Sequence, residues 1–225
     1  KKKEARRQQE EDPNTSMADT AATPTLLTTE TVAAYAAERL GLEASIVGTA
    51  DEIMGGNLNY AWRVTFSGPD TSDARVFSVF VKQAPEFIKC LGKDFGLTSL
   101  RMHREVAALQ ALGAVSSQHV PGVMSFDAPR RVVILEDMKG YALLRDELLT
   151  GNIDATVAGD LGRFLATVRR STANGKVDVG GDNNAAMRAV TRDYVFTKPF
   201  VESDPTNRTF FDDANPDVAL FYKPV

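Results

Sequence analysis

A lysine at the end of an apolar run is the residue of this sequence best suited to bind a charged ligand. Lys82 follows residues 76–81, Val-Phe-Ser-Val-Phe-Val, a composition typical of a buried strand. Upstream lies the turn 55–59, Gly-Gly-Asn-Leu-Asn. Small residues let backbone N–H groups approach an anion, and a lysine ammonium adds a positive charge. The two features together predict a phosphate-binding site.

A glutamate on the next predicted helix is the natural partner for this lysine. The spacing of Met102, Val106 and Leu109 predicts a helix over 98–112 that ends at Gly113. Glu105 lies at the edge of that apolar stripe, where it can form an ion pair with Lys82. From these two residues alone, solvated surface charges remain the alternative.

The sequence around these residues predicts a fold that contains both helices and strands. Helical periodicity begins near Thr28 and ends at Gly41, and residues 59–67 alternate between apolar and polar positions as a strand does. Trp62 is predicted to be a core residue of that strand. The other predicted strands are 46–54, 75–83, 121–127 and 131–135, and the other predicted helices are 154–173 and 185–194.

Composition excludes several function classes. The 225 residues carry a net charge of -4, which gives no footprint for nucleic acid or an anionic membrane. One cysteine and two histidines argue against an internal disulfide and a Cys/His metal site. No apolar stretch is long enough for a membrane helix and no signal peptide is recognisable, so we expect a cytoplasmic protein. Residues 1–25 are predicted to be a disordered tail.

Three short strings imitate catalytic motifs in the wrong context. Asp94-Phe95-Gly96 lies ahead of any catalytic loop, and His103-Arg104-Glu105 and Gly159-Asp160-Leu161 both fall inside predicted helices. His103 and His119 have no nucleophile or carboxylate pairing in the sequence, so they are expected to be packing residues. None of these residues is predicted to be catalytic.

Five blocks in order resemble the 5-methylthioribose kinase family over about residues 28–204. They are Gly-Asn-Leu-Asn-Tyr at 56–60, Val-Lys-Gln-Ala-Pro at 81–85, His-Val-Pro at 119–121, Leu-Glu-Asp at 135–137 and Val-Phe-Thr-Lys-Pro-Phe at 195–200. The resemblance implies an α+β, protein-kinase-like fold with a small lobe of antiparallel sheet and helices and a mainly helical large lobe. It also implies ATP with Mg²⁺, and phosphorylation of methylthioribose to methylthioribose 1-phosphate in methionine salvage.

The resemblance also implies roles for individual residues. Asn59 and Lys82 would contact the nucleotide phosphates, within a site that includes Gly56 and Asn57 of the turn and Glu105. The connector of Glu136, Asp137 and Met138 would be the hinge that meets adenine through backbone groups. Residues 26–138 would form the ATP-binding lobe, and residues 139–225 the incomplete start of the substrate lobe.

The family's catalytic His-Gly-Asp loop, its magnesium-binding aspartate and its substrate-binding arginine are expected downstream of Val225. The chain is therefore expected to hold no catalytic or metal-binding residue and to be an inactive fragment by itself. Such a fragment should expose apolar surface and self-associate, which leaves homodimer formation open.

Two alternatives to this function stay open. A kinase of another small alcohol, such as choline or an aminoglycoside, would use the same fold, because substrate contacts come mainly from the larger lobe. A non-catalytic nucleotide-binding module would also retain the turn and Lys82.

Overall fold

The computed structural model describes residues 25–43, 45–68, 77–152, 154–173 and 184–201. The predicted tail before Thr25 and most of the predicted loop between the second and third strands lie outside these ranges. The strands are β1 Val47–Glu52, β2 Tyr60–Ser67, β3 Phe77–Gln83, β4 Phe87–Ile88, β5 Gly92–Gly96, β6 Val123–Asp127 and β7 Val132–Glu136. The helices are α1 Thr29–Leu40, α2 Arg101–Ser116, α3 Leu144–Leu149, α4 Ala155–Thr172 and α5 Ala185–Thr191.

Five strands form one antiparallel sheet in the order β1-β2-β3-β7-β6, and β4 pairs with β5 in a separate hairpin. Helix α2 connects that hairpin to β6, and α1 precedes β1. This α+β arrangement is that of a protein-kinase-like small lobe, so the predicted fold class is confirmed. The remaining described helices follow the last strand of the sheet.

Helix α1 begins and ends at the residues that the sequence predicts. The Thr28 backbone N–H donates to Thr31 Oγ1 at 2.9 Å, which satisfies a donor at the helix N-terminus. Gly41 closes the helix in the left-handed region with φ +65°, and its N–H donates to the Glu38 carbonyl. The apolar side of the helix, including Val32 and Tyr35, packs on the sheet.

The sheet is covered on both faces, and strand alternation separates the two cores. Trp62 on β2, Val81 on β3 and Ile134 on β7 lie in the core shared with α1. Met102 and Val106 of α2 pack on the opposite face with Ala84, Val133 and Leu135. The prediction that Trp62 is a core residue is confirmed, and its indole N–H donates to Thr29 Oγ1 at 3.3 Å.

The predicted bounds of the second helix are wrong. Helix α2 starts at Arg101 and continues past Gly113 to Ser116. Gly113 is not among the glycines with positive φ, so it takes a helical conformation and does not act as a C-cap. A glycine inside a helix costs about 1 kcal/mol relative to alanine, which packing of the apolar stripe offsets.

Helix α4 confirms the helix predicted over 154–173, and it exposes large apolar side chains. Leu161 is 50% exposed and Leu165 is 56% exposed, and the neighbouring α3 also exposes leucines at 148 and 149. Asp154 caps the helix by accepting from the Thr156 N–H at 2.8 Å, close to the predicted start. Within the described ranges, no helix has the length and apolar character needed to cross a membrane.

Gln83 is a fully buried polar residue that ties three segments together. Its Oε1 accepts from the Leu27 N–H at 2.8 Å, and its Nε2 donates to the carbonyls of Thr25 and Arg130, both at 3.1 Å. These bonds join β3 to the segment before α1 and to the β6–β7 turn. Burial is tolerated because both groups of the side-chain amide find partners in these two segments.

We expect Gln83→Met to lower the free energy of unfolding by roughly 1–3 kcal/mol, because similar volume is kept while buried backbone groups lose their partners. Urea unfolding followed by the fluorescence of Trp62, the single tryptophan, measures the change. Gln110→Met, at an exposed position on α2, is the matched control and should stay within about 0.5 kcal/mol of wild type. Equal midpoints for the two variants would contradict the role of Gln83.

Candidate functional site

The Gly/Asn turn joins β1 to β2 and lies beside Lys82. In the antiparallel register of β2 with β3, Ala61 pairs with Lys82, so the lysine is level with the start of β2. The turn immediately precedes that start. Gly55 has φ +94°, a conformation that glycine adopts without strain. Strand register therefore brings the turn and the lysine together.

Lys82 of strand β3 and Glu105 of helix α2 form an ion pair. Val81 faces α1, so the two-residue period of β3 directs Lys82 toward α2. Lys82 Nζ lies 2.6 Å from Glu105 Oε1, and the two side chains are 26% and 29% exposed. The pair that the sequence favours is present, and both of its groups remain partly accessible to a ligand.

A cavity of about 590 Å³ opens beside this ion pair. Its lining contains five of the predicted site residues and additional cationic side chains. The lining residues are Gly56, Asn57, Leu58, Asn59, Lys82, Arg101, Arg104, Glu105, Asn184, Met187 and Thr191. For the adjoining cavity, also of about 590 Å³, the lining residues within the described part of the chain run from Asn184 to Phe196 and include none of the predicted site residues.

Asn59 is buried and already hydrogen-bonded to Arg101, a residue that no sequence motif marks as part of the site. Its Oδ1 accepts from Arg101 Nε at 2.9 Å, and both side chains are buried. Burial lowers the pKa of the Arg101 guanidinium from its usual value, and nearby Glu86 and Glu105 oppose that shift. One feature of the sequence points to a special role for Arg101. A cation in the first turn of a helix is unfavourable because it opposes the helix dipole, so its presence there calls for compensating contacts.

The predicted hinge residues lie at and just after the end of β7, and the side chains of Glu136 and Asp137 have structural partners. The Asp137 carboxylate is 2% exposed and accepts from Arg63 at 2.8 and 3.1 Å and from Ser78 Oγ at 2.6 Å. Glu136 accepts from the Gly122 N–H through Oε2, and its own N–H donates to the Gly122 carbonyl. The Met138 carbonyl accepts from the Tyr141 N–H.

The structure does not place the side chains of the predicted hinge at the cavity. Glu136, Asp137 and Met138 are absent from the lining of the cavity that holds Lys82. Their role toward adenine, through backbone groups, stays a prediction. The side chain of Asp137 instead joins β2 and β3 to the end of β7.

Both histidines contact aromatic side chains. His103 meets the Phe126 ring edge-on at 5.0 Å, and burial lowers the pKa of its imidazole, with Arg131 and Arg104 adding to the shift. His119 packs against Phe164 at 5.1 Å, and its Nδ1 is 2.6 Å from Ser116 Oγ. In the described part of the chain, no group of three or more His, Cys, Asp or Glu side chains is arranged to hold a metal ion.

The chain is similar to curated methylthioribose kinases. That of Yersinia pseudotuberculosis serotype O:3 (strain YPIII) is 32% identical over 166 residues, 71% of this chain and 39% of the relative. That of Yersinia enterocolitica serotype O:8 / biotype 1B is 31% identical, with 71% and 40% covered. That of Pectobacterium atrosepticum is 30% identical over 178 residues, with 76% and 42% covered. The similarity supports a methylthioribose kinase-like family.

The chain spans about two fifths of the length of these curated relatives. No family model matches it.

Asp137 is expected to make the stability of the fold depend on pH. Burial raises the pKa of this carboxyl. Hydrogen bonds from Arg63 and Ser78 and the positive charge of Arg63 lower it by a larger amount, so the pKa lies below its usual value. A depressed folded-state pKa stabilises the fold above the unfolded pKa of about 4, and this stabilisation is lost as the pH falls through the folded-state value.

We therefore expect Asp137→Asn to lower the free energy of unfolding by roughly 1–3 kcal/mol at neutral pH. The difference from wild type should shrink as the pH falls below about 4. Urea unfolding between neutral and acidic pH measures it, with Asp51→Asn on the exposed side of β1 as the control. A difference that does not change with pH would contradict the assignment.

Proposed function

We propose that this chain is the nucleotide-binding part of a small-molecule kinase that transfers a phosphoryl group from ATP to methylthioribose. The Lys82–Glu105 ion pair, at a cavity lined by the Gly/Asn turn, is the observation that carries the proposal. The similarity to curated methylthioribose kinases supports the choice of acceptor. The reaction would serve methionine salvage in the cytoplasm.

The groups around the cavity fit the phosphates of ATP. Lys82 supplies a point charge, and the turn supplies backbone N–H groups with little steric hindrance. Among the described lining residues, three are cationic and one, Glu105, is anionic. This local excess of positive charge suits a polyanion even though the chain has a net charge of -4. A volume of about 590 Å³ lies within the usual range for small-molecule sites.

In phosphoryl transfer, positioning and charge neutralisation account for most of the catalysis. Lys82 would contact the α- and β-phosphate oxygens, and Glu105 would hold its ammonium in place. Mg²⁺, when bound with ATP, would neutralise charge on the phosphate oxygens. We assign the metal no ligand from the described residues.

The proposed organisation follows the sequence-based expectation. Residues 26–138 would be the ATP-binding lobe, with the backbone of residues 136–138 meeting adenine, and residues 139–225 would belong to the substrate lobe. Contacts to the acceptor would come mainly from that second lobe. Choline and an aminoglycoside are therefore the comparison acceptors in any assay of the gene product.

We expect the chain to bind ATP and Lys82→Ala to bind it at least about 10-fold more weakly, because a charge-assisted hydrogen bond to phosphate is lost. Thermal unfolding with increasing ATP measures affinity, since ATP at about 100 times its Kd adds about 2.7 kcal/mol to the free energy of unfolding. Lys93→Ala, at an exposed lysine of β5, is the matched control. An unshifted midpoint for wild type, or an unchanged affinity in Lys82→Ala, would refute the nucleotide site.

We also expect the 225-residue chain to release no ADP in response to methylthioribose. Glu105 is the one carboxylate among the described lining residues, and its pairing with Lys82 leaves it unsuited to accept the acceptor's proton. A coupled ADP assay with Mg²⁺-ATP, with and without methylthioribose, measures the turnover. Acceptor-dependent ADP release that Lys82→Ala abolishes would overturn this expectation.

A further inference from the structure

Arg101 is a buried cation whose hydrogen-bonding capacity is completely used. It is the first residue of α2 and is 7% exposed. Nε donates to Asn59 Oδ1 at 2.9 Å, Nη1 to the Leu97 and Thr98 carbonyls at 3.1 and 2.7 Å, and Nη2 to the Leu58 and Phe87 carbonyls at 3.0 and 3.4 Å. A guanidinium has five N–H donors, and each of these five has an acceptor.

These acceptors belong to three separate segments. Asn59 and Leu58 lie in the Gly/Asn turn, Phe87 lies in β4, and Leu97 and Thr98 precede α2. A second bond joins the turn to the β4–β5 hairpin, since the Cys90 N–H donates to the Asn57 carbonyl at 3.0 Å. Arg101 and the hairpin together hold two successive carbonyls of the turn, those of Asn57 and Leu58.

Fixing these carbonyls also fixes the amides that follow them. A trans peptide is planar, so its N–H points opposite to its C=O. The Leu58 N–H therefore points away from Cys90, and the Asn59 N–H points away from the Arg101 guanidinium. Within the described residues, neither amide donates to another protein group. Both residues line the cavity that holds Lys82.

We propose that Arg101 is a positioning residue that orients the Leu58 and Asn59 amides of the turn to bind the phosphates of the nucleotide. The inference rests on the proposed nucleotide site and adds a cause for its geometry. A turn that contains Gly55 and Gly56 samples many conformations when free, and holding it before the ligand arrives reduces the entropy lost on binding. Because all five donors are occupied, Arg101 acts through the turn and does not contact phosphate itself.

Arg101→Lys tests this role because it keeps the positive charge and removes the planar five-donor fork. We expect ATP to bind at least about 10-fold more weakly than to wild type, while adenosine binding stays within about 2-fold. Isothermal titration with ATP and with adenosine gives the two affinities. Arg145→Lys, at an exposed arginine of α3 whose described partner is Asp146, is the matched control and should leave both unchanged.

Each outcome has a distinct meaning. Loss of ATP affinity in Lys82→Ala together with full ATP affinity in Arg101→Lys would overturn the inference and keep the nucleotide site. Absence of ATP binding by wild type would instead refute the nucleotide site. Equal losses of ATP and adenosine affinity in Arg101→Lys would also overturn the inference, because a purely structural role predicts that result.

Amide exchange in the wild-type chain provides a second test that needs no variant. Without ligand, the Cys90 amide should exchange slowly, because it is bonded to Asn57, and the Leu58 and Asn59 amides should exchange quickly. Adding ATP should slow exchange at Leu58 and Asn59, and adding adenosine should not. Unchanged exchange at both amides under saturating ATP would overturn the proposal.

Discussion

Strand β3 is covered on both faces, and its two-residue period decides which helix each of its side chains meets. Val79 and Val81 pack toward α1, and Gln83 on the same face ties β3 to the segment before that helix. On the opposite face, Phe80 packs in the core that α2 covers, and Lys82 meets Glu105 of α2. A slip of one residue in register would bury Lys82 under α1 and move the valines to the face that α2 covers. The apolar cores on both faces therefore fix the direction of the lysine.

The β4–β5 hairpin and the start of α2 support the turn from outside the main sheet. The hairpin contacts the turn through the Cys90 N–H and contacts Arg101 through the Phe87 carbonyl. Lys89 forms an ion pair with Glu52 at the end of β1 at 2.5 Å. Arg101 occupies the position where these segments meet. Without these contacts, a Gly-Gly turn between two strands would have no defined orientation relative to Lys82.

Local signals predicted α1, the alternation in β2 and the pairing of Lys82 with Glu105. The first two depend on the spacing of residues within one element. The third depends on two residues that lie on successive predicted elements. The β4–β5 hairpin escaped prediction because β5 contains Gly92, Lys93 and Asp94 and lacks strand-like alternation. The bonds of Arg101, Gln83 and Asp137 escaped for another reason. Their partners are far away in sequence, and no periodicity encodes them.

The Lys82–Glu105 ion pair contributes more to the position of the lysine ammonium than to the stability of the fold. Both side chains are partly exposed, and such pairs contribute only about 0–1 kcal/mol to the free energy of unfolding. A lysine alone would move freely on its flexible stem, whereas a carboxylate at 2.6 Å limits where the ammonium lies.

The same carboxylate would repel a phosphate unless other charges outweighed it. Arg101 and Arg104 line the cavity beside Glu105, so the lining keeps an excess of positive charge while Glu105 restrains Lys82. The arrangement combines a restrained ammonium with oriented backbone amides. Catalysis of phosphoryl transfer depends on such prior placement of charge, because no reorganisation is then needed when the nucleotide reacts.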